Sequence, residues 1–330
     1  ITVKGGKFLE VVAMADTIVF DKTGTLTHAC PQVAHVIPFH GEDAEEMLRL
    51  AACLEEHFPH SMANAVVEEA RRRNLHHEER HAKVEYLVAH GIASSVDGKQ
   101  IRIGSAHFIF EDEQCIIPSA EQAKFDALPA EYSQLYLAID GVLSAVICIS
   151  DPLRDEAKDV LCALRNLGIR KAVMLTGDSP RTASAIAQQL GVDDVRAGVL
   201  PAEKAEYVDA LRQAGHTVLM VGDGINDSPA LSEANAGIAI RNGAAIAREI
   251  ADITIAADSL WELVQLRRLA MALMHRIQNN YRFVIGFNGA LIGLGAAGLL
   301  PPATSAMLHN LSTLGVSLHS MSLLPTLKTH

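Results

Sequence analysis

Thr17-Ile18-Val19-Phe20-Asp21-Lys22-Thr23-Gly24-Thr25-Leu26-Thr27 is the stretch that decides how this chain is read. The run from Thr17 to Phe20 fits a short buried strand. An acid at its end brings a carboxylate to the carboxyl edge of a parallel sheet, where ligands bind in open α/β folds. Gly24 and the hydroxyls of Thr23, Thr25 and Thr27 give a tight turn with donors for phosphate oxygens. Asp21 reads as a nucleophile that takes a phosphoryl group. That chemistry needs a metal ion to neutralise the incoming charge and a cation at the leaving end. Lys22 alone does not supply both.

Further along, Val218-Leu219-Met220-Val221 is followed by Gly222-Asp223-Gly224-Ile225-Asn226-Asp227-Ser228-Pro229. This second strand-then-acid pattern predicts Asp223 and Asp227 beside Asp21, an all-oxygen set suited to magnesium. A third run, Ala172-Val173-Met174-Leu175, ends in Thr176-Gly177-Asp178, and Lys204 opens a helical stretch as a fixed cation. An acid after a strand is by itself a common turn former or helix cap. The four pieces in this order are what carry the reading.

DKTGTLT (21–27), TGD (176–178) and GDGINDSP (222–229) resemble the phosphorylation-domain signatures of P-type ATPases, within the haloacid dehalogenase superfamily. The resemblance implies an α/β fold: a Rossmann-like phosphorylation domain, an inserted α+β nucleotide-binding domain and a C-terminal transmembrane helix hairpin. It assigns Asp21 as the phosphorylated aspartate and Thr176 and Lys204 as phosphate ligands. Asp223 and the carbonyl of Thr23 would join Asp21 around Mg2+, with Asn226 and Asp227 completing the shell, and Gly177 and Asp178 would lie on the nucleotide. Superfamily phosphatases carry a second Asp two residues after the nucleophile, as acid and base; here that position is Thr23. Without that base the phosphoenzyme should persist, which suits a pump better than a phosphatase.

The chain has 330 residues, 49% of them hydrophobic, so an apolar segment must be concentrated somewhere. A formal net charge of -11 argues against a nucleic-acid partner. Five cysteines without a CxxC pair read as reduced thiols, mostly in cores. The apolar concentration is near the end: residues 283–300 and 303–324 lack charged residues and flank Pro301-Pro302. Each is about the ~20 residues that span a bilayer, so they read as two transmembrane helices in a lipid bilayer. Arg267, Arg268, Arg276 and Arg282 before the pair and Lys328 after it place both ends in the cytoplasm. Asn288, His309, Asn310 and Thr313 within it are candidate ligands for a transported ion. Hydrogen bonding between the two helices is the plainer reading of the same residues.

Residues 30–150 read as an insertion. Helical patterns at 43–54 and 62–73 precede strands at 84–89, 92–96, 100–103, 135–139 and 142–149, with Asp97-Gly98 and Asp140-Gly141 as hairpin turns. In P-type ATPases such a lobe binds ATP. Glu55-Glu56-His57-Phe58-Pro59-His60-Ser61 is similar to the adenine-contacting segment of the heavy-metal subgroup, with Glu55 and His60 matching and Ser61 in place of a proline. Gly91 matches the second of the subgroup's two glycines and Ala89 replaces the first. Pro152 is expected to open a helix running toward Leu167, and a helix over 260–279 to lead straight into the membrane.

The expected domains are 1–29 and 151–260 for phosphorylation, 30–150 for the nucleotide, and 261–330 for the linker helix and hairpin. The resemblance implies ATP and Mg2+ as cofactors and ATP-driven transport of a heavy or transition metal cation, a divalent one by the character of the ligands. It also implies a multi-pass protein of a bacterial plasma membrane with cytoplasmic catalytic domains. An actuator domain and upstream membrane helices of the same pump are the expected further parts, this chain being the carboxyl-terminal portion. A membrane-anchored phosphatase and a non-catalytic regulatory fragment are the alternatives.

Overall fold

The computed structural model describes residues 1–57, 61–75, 85–87, 91–96, 98–223, 227–240 and 249–322. In chain order the elements are β1 (Thr2–Val3), α1 (Gly6–Met14), β2 (Thr17–Asp21), β3 (Gln32–Pro38), α2 (Ala44–Glu55), α3 (Ser61–Arg72), β4 (Glu85–Leu87), β5 (Gly91–Val96) and β6 (Lys99–Gly104). They continue with α4 (Gln122–Asp126), β7 (Ser133–Ile139), β8 (Val142–Ser150), α5 (Ala157–Asn166), β9 (Lys171–Leu175), α6 (Pro180–Leu190), β10 (Asp194–Arg196) and α7 (Pro201–Gln213). The last are β11 (Val218–Gly222), α8 (Ser228–Glu233), β12 (Ala236–Ile240), β13 (Ile253–Ile255), α9 (Trp261–Ala296) and α10 (Pro302–Met321).

Among the described residues a seven-stranded sheet runs in the order β1-β13-β12-β11-β2-β9-β10. Its pairs β9/β10, β11/β12 and β12/β13 are parallel, and β1 closes one edge antiparallel to β13. Every residue of β2, β11 and β12 is buried, as their unbroken apolar runs require of strands covered on both faces. α6 shows why the helices start and stop where they do. Ser179 caps it by accepting from Thr182 N, Pro180 opens it, and Gly191 ends it at φ +73°.

The chain splits into two compact units. One comprises Phe20–Lys158 and Val173–Lys204. It contains an antiparallel sheet of order β3-β8-β7-β6-β5-β4, whose two faces have separate cores. One core sets Met47, Leu48, Leu54 and Val66 of α2 and α3 against Ile92, Ile103, Leu137 and Ile147. The other gathers Phe39, Phe108, Ile109, Tyr136 and Val146. Strand alternation sends Leu137 and Tyr136 to opposite faces. Asp43 caps α2 by accepting from the amides of Glu45 and Glu46, both at 3.0 Å. The Asp140-Gly141 turn forms with both residues at positive φ, 49° and 78°, as a tight hairpin demands. Of the Asp97-Gly98 turn, Asp97 lies outside the described residues.

The other unit comprises Ile1–Val19, Asp159–Ala172 and Ala205–His330. Its longest element, α9, is one continuous helix of 36 residues that merges the expected linker helix with the first apolar segment. Arg267 on α9 is 4% exposed and points into the core. It donates to Ala15 O at 2.9 Å, to Leu167 O from Nη2 at 3.1 Å and Nε at 3.3 Å, and to Val12 O. It thereby occupies the free carbonyls at the ends of α1 and α5. Burial holds the Arg267 guanidinium below its ordinary pKa.

α10 folds back beside α9, with Asn280 Nδ2 donating to Ser320 Oγ at 2.9 Å. No helix among the described residues is long and apolar enough to cross a membrane. Pro152 does not open a helix: Leu153 is bridged to Thr27, a turn follows at Asp155 and Glu156, and α5 begins only at Ala157.

Candidate active site

Within the Phe20–Lys158/Val173–Lys204 unit, β2 ends on Asp21, only 6% exposed. Gly24 at φ +76°, ψ -10° turns the chain sharply, a backbone state that favours glycine. Gly24 N donates to Thr27 Oγ1 at 3.0 Å, and the Thr27 hydroxyl donates to Asp151 Oδ2 at 2.6 Å. Arg154, fully buried, donates from its amide to Leu26 O at 2.9 Å and from Nε to Thr27 O at 3.2 Å. The nucleophile loop is thus clamped by the DPLR segment (151–154).

Lys204, in the first turn of α7, donates to Asp21 Oδ1 at 2.6 Å, and each side chain is 8% exposed. A buried ion pair persists only where each charge compensates the other, since desolvation alone would expel either one. Lys22 is also buried and pairs with Asp178 Oδ2 at 2.5 Å. Asp178 Oδ2 accepts from Thr176 Oγ1 at 2.9 Å, its Oδ1 accepts from Ser133 Oγ at 2.8 Å, and its amide donates to Thr176 Oγ1 at 3.1 Å. Burial would raise the Asp178 pKa, but the charge of Lys22 and the hydrogen bonds from Lys22, Ser133 and Thr176 outweigh it and hold the carboxyl low. Thr23 is exposed and Gly177 is exposed, so neither is locked into the interior.

In the other unit, Asp223 follows β11 half-buried, and Asp227 stands fully buried at the head of α8. A Cβ on Gly222 would lie 2.8 Å from Asp227 Oδ2, so the close approach of that carboxylate requires glycine. Asn226 and His60 lie outside the described residues, as do Ala89 and the side chain of Ser61. Glu55 closes α2 and is 2% exposed. A Cβ on Gly91 would meet Phe108 Cδ1 at 2.3 Å and Ile103 O at 2.6 Å, so packing alone demands glycine there.

In the hairpin, His309 Nδ1 lies 2.9 Å from Asn288 Oδ1. The Thr313 and Ser312 hydroxyls return to His309 O at 3.1 and 2.7 Å, and Asn310 is exposed. Only the His309–Asn288 contact joins the two helices; the hydroxyl bonds lie within α10. Among the described residues no group of three or more His, Cys, Asp or Glu is arranged to hold a metal ion.

Sequence reasoning missed the Lys22–Asp178 pair, the Ser133 contact and the clamp by Asp151 and Arg154. Asp151 and Arg154 carried a signal, since acid and base flank a proline at the return to the first sheet.

Residues 15–235 match the model of haloacid dehalogenase-like hydrolases, a span covering both Asp21 and Asp227. The chain belongs to the haloacid dehalogenase-like hydrolase family. This family member is 39% identical over 326 residues to a zinc-exporting P-type ATPase of Mycobacterium marinum, covering 98% of this chain and 44% of that protein. It is 37% identical over 326 residues to a manganese-exporting P-type ATPase of Mycobacterium leprae, covering 98% and 45%. The crystal structure of a zinc-transporting PIB-type ATPase in its E2.Pi state superimposes with a TM-score of 0.71 at 32% identity, over 97% of this chain and 51% of that one. The chain therefore spans less than half the length of these curated relatives.

Proposed function

We propose that this chain carries the ATP-binding and phosphorylation machinery of a metal-translocating P-type ATPase, with Asp21 as the phosphoryl acceptor. One observation carries the reading: a buried carboxylate at a strand end bonded to a buried lysine at 2.6 Å. In phosphoryl transfer an Asp21 oxygen forms a bond to the terminal phosphorus of ATP, and the bond to the bridging oxygen breaks to release ADP. Lys204 holds one Asp21 oxygen and supplies positive charge where charge accumulates. Lys22 and the Thr176 hydroxyl flank the same loop. Thr23 offers no carboxylate to activate water, so the chain's own residues favour a persisting aspartyl phosphate over rapid hydrolysis.

Asp21, Asp223 and the Thr23 carbonyl would supply an all-oxygen set whose chemistry fits Mg2+. When bound there, Mg2+ would neutralise charge on the transferred group. Asp227 and Asn226 would orient that set. Glu55, His60 and Gly91 of the lobe, with Gly177 and Asp178, would line the nucleotide site. Residues 1–29 and 151–260 would form the phosphorylation domain, 30–150 the nucleotide lobe and 261–330 the linker helix and hairpin.

We infer that residues 283–296 of α9, with α10, lie in the bilayer because their apolar side chains face outward: Phe283, Ile285, Ile292, Leu311, Leu314 and Leu318 are all at least half exposed. Lipid would cover that surface where water would oppose it. The Asn288–His309 pair then offers nitrogen and oxygen to a divalent cation between the helices. The near-equal similarity to zinc and manganese exporters leaves both metals as transport substrates to test.

ATP labelled in its terminal phosphoryl group should give an acid-stable, hydroxylamine-sensitive label on this chain, and Asp21→Asn should abolish it. A label that survives in the variant sinks the acceptor assignment. A chain that forms no label under any ATP concentration is a non-catalytic fragment. In the complete pump, turnover with Mn2+, Fe2+, Zn2+, Co2+ and Cu+ identifies the metal. His309→Ala with unchanged metal stimulation removes His309 from the ion path.

A further inference from the structure

Residues 126–133 of the inserted lobe are stitched to the start of α6 within one compact unit. Arg181 Nη2 donates to Leu128 O at 2.7 Å and to Asp126 O at 3.3 Å, and Thr182 Oγ1 donates to Tyr132 O at 3.1 Å. Those bonds grip the lobe's backbone. The bond from Ser133 Oγ to Asp178 Oδ1, at 2.8 Å, differs in joining two side chains. Its acceptor is the carboxylate whose other oxygen holds Lys22 at 2.5 Å.

Asp178 thus gives Oδ1 to the lobe, while its Oδ2 takes both Lys22 of the nucleophile loop and the Thr176 hydroxyl. A carboxylate bonded on both oxygens has its plane fixed, so the donor on one side sets the direction offered on the other. Lys22 is the residue next to Asp21, and its ammonium goes where Asp178 Oδ2 puts it. We propose that Ser133 is a positioning residue for phosphoryl transfer to Asp21, aligning Lys22 through Asp178 while the lobe segment is docked on α6. This inference rests on the reading of Asp21 as the acceptor. The bonds made and broken in that transfer are unchanged: Asp21 oxygen to terminal phosphorus, with ADP leaving. Ser133 contributes only direction, and the cation it steers belongs to the residue that follows the attacking Asp21 in the loop. The Arg181 and Thr182 bonds remain when the Ser133 hydroxyl is removed, so docking and alignment are separable.

The test uses the full chain with Ser133→Ala, Ser133→Thr and Arg181→Ala. Equilibrium titration gives ATP affinity, and single-turnover labelling gives the rate of phosphoenzyme formation. Ser133→Ala should slow labelling about tenfold while ATP affinity stays within about twofold, and Ser133→Thr should restore the rate. Arg181→Ala should label at close to the parent rate, because Asp178 keeps its Ser133 bond. Parent-rate labelling by Ser133→Ala overturns the proposal. So does a rate loss matched by an equal loss of ATP affinity, which would make Ser133 a nucleotide contact. If Ser133→Ala does not fold, Ser133→Cys keeps the size while weakening the donor, and a parent rate in that variant overturns the proposal equally. Retained label in Asp21→Asn would instead overturn the acceptor assignment, so the two failures are told apart.

Discussion

The nucleophile loop and the C-terminal hairpin invert each other's chemistry. Around Asp21 the chain buries charge: Asp21, Lys22 and Lys204 are 6%, 4% and 6% exposed. Along α9 and α10 it exposes hydrocarbon: Ile292 is 73% and Met321 82% exposed. Charges survive inside because each has a partner at hydrogen-bond distance. Exposed hydrocarbon has no such internal remedy and calls for surroundings that are themselves apolar. The first region pairs its charges internally, and the second is defined by what lies outside it.

The sharpest break of that contrast is to remove one partner of a buried pair. Lys204→Met should destabilise the chain by about 3–5 kcal/mol in urea unfolding, because Asp21 is left as a buried charge without its lysine. Adding Asp21→Asn should recover much of the loss, whereas two independent effects would add. On the other side, Ile292→Arg should cost about 3 kcal/mol of membrane insertion, read from the fraction integrated into microsomal membranes. In water the same change at an exposed site would leave stability within about 0.5 kcal/mol, so unaltered integration would break the bilayer reading.

Gly91→Ala should lower lobe stability by about 1–3 kcal/mol through its collision with Phe108 and Ile103. A variant that melts like the parent but binds ATP poorly would mean that the glycine serves the ligand rather than the packing.

The smallest effect concerns Glu69, where charge is paired at the edge of the interior. Hydrogen bonding from Arg72, opposed by burial and helped by Arg73, lowers its pKa from 4.5 to about 2. Its contribution is fully present above pH 4.5 and is lost as pH falls toward 2. Glu69→Gln should therefore lower stability at neutral pH, by less than about 1 kcal/mol at this solvent-screened site, leave stability near pH 2 unchanged, and so flatten the acid limb between the two.

Strands buried on both faces were the most legible parts of the sequence. β2, β9 and β11 announce themselves as apolar runs ending in Asp, Thr or Gly, and that pattern also brings out Asp21, Thr176 and Asp223. β3 does not, because it is an edge strand whose exposed Gln32 and His35 interrupt the apolar pattern. β1 and α1 were likewise silent, α1 because its burial comes from distant segments such as α9. Pro152 misled because proline opens helices and extended segments equally well; here the extended form gains the Thr27–Leu153 bridge and the Arg154 bonds. The site's ion pairs split the same way. Lys204 was legible as a cation at a helix start, but the grip of Asp178 on Lys22 joins residues far apart in sequence, and nothing in either segment names the other.

Arg267 makes α9 a lever with a known fulcrum. The helix continues 29 residues beyond it to Ala296, about 44 Å as a straight rod. Turning that rod by ~5° about the guanidinium carries its far end about 4 Å, more than the rise of two helical residues. A displacement of a few tenths of an ångström at the Val12, Ala15 and Leu167 carbonyls is thereby multiplied before it reaches the turn into α10.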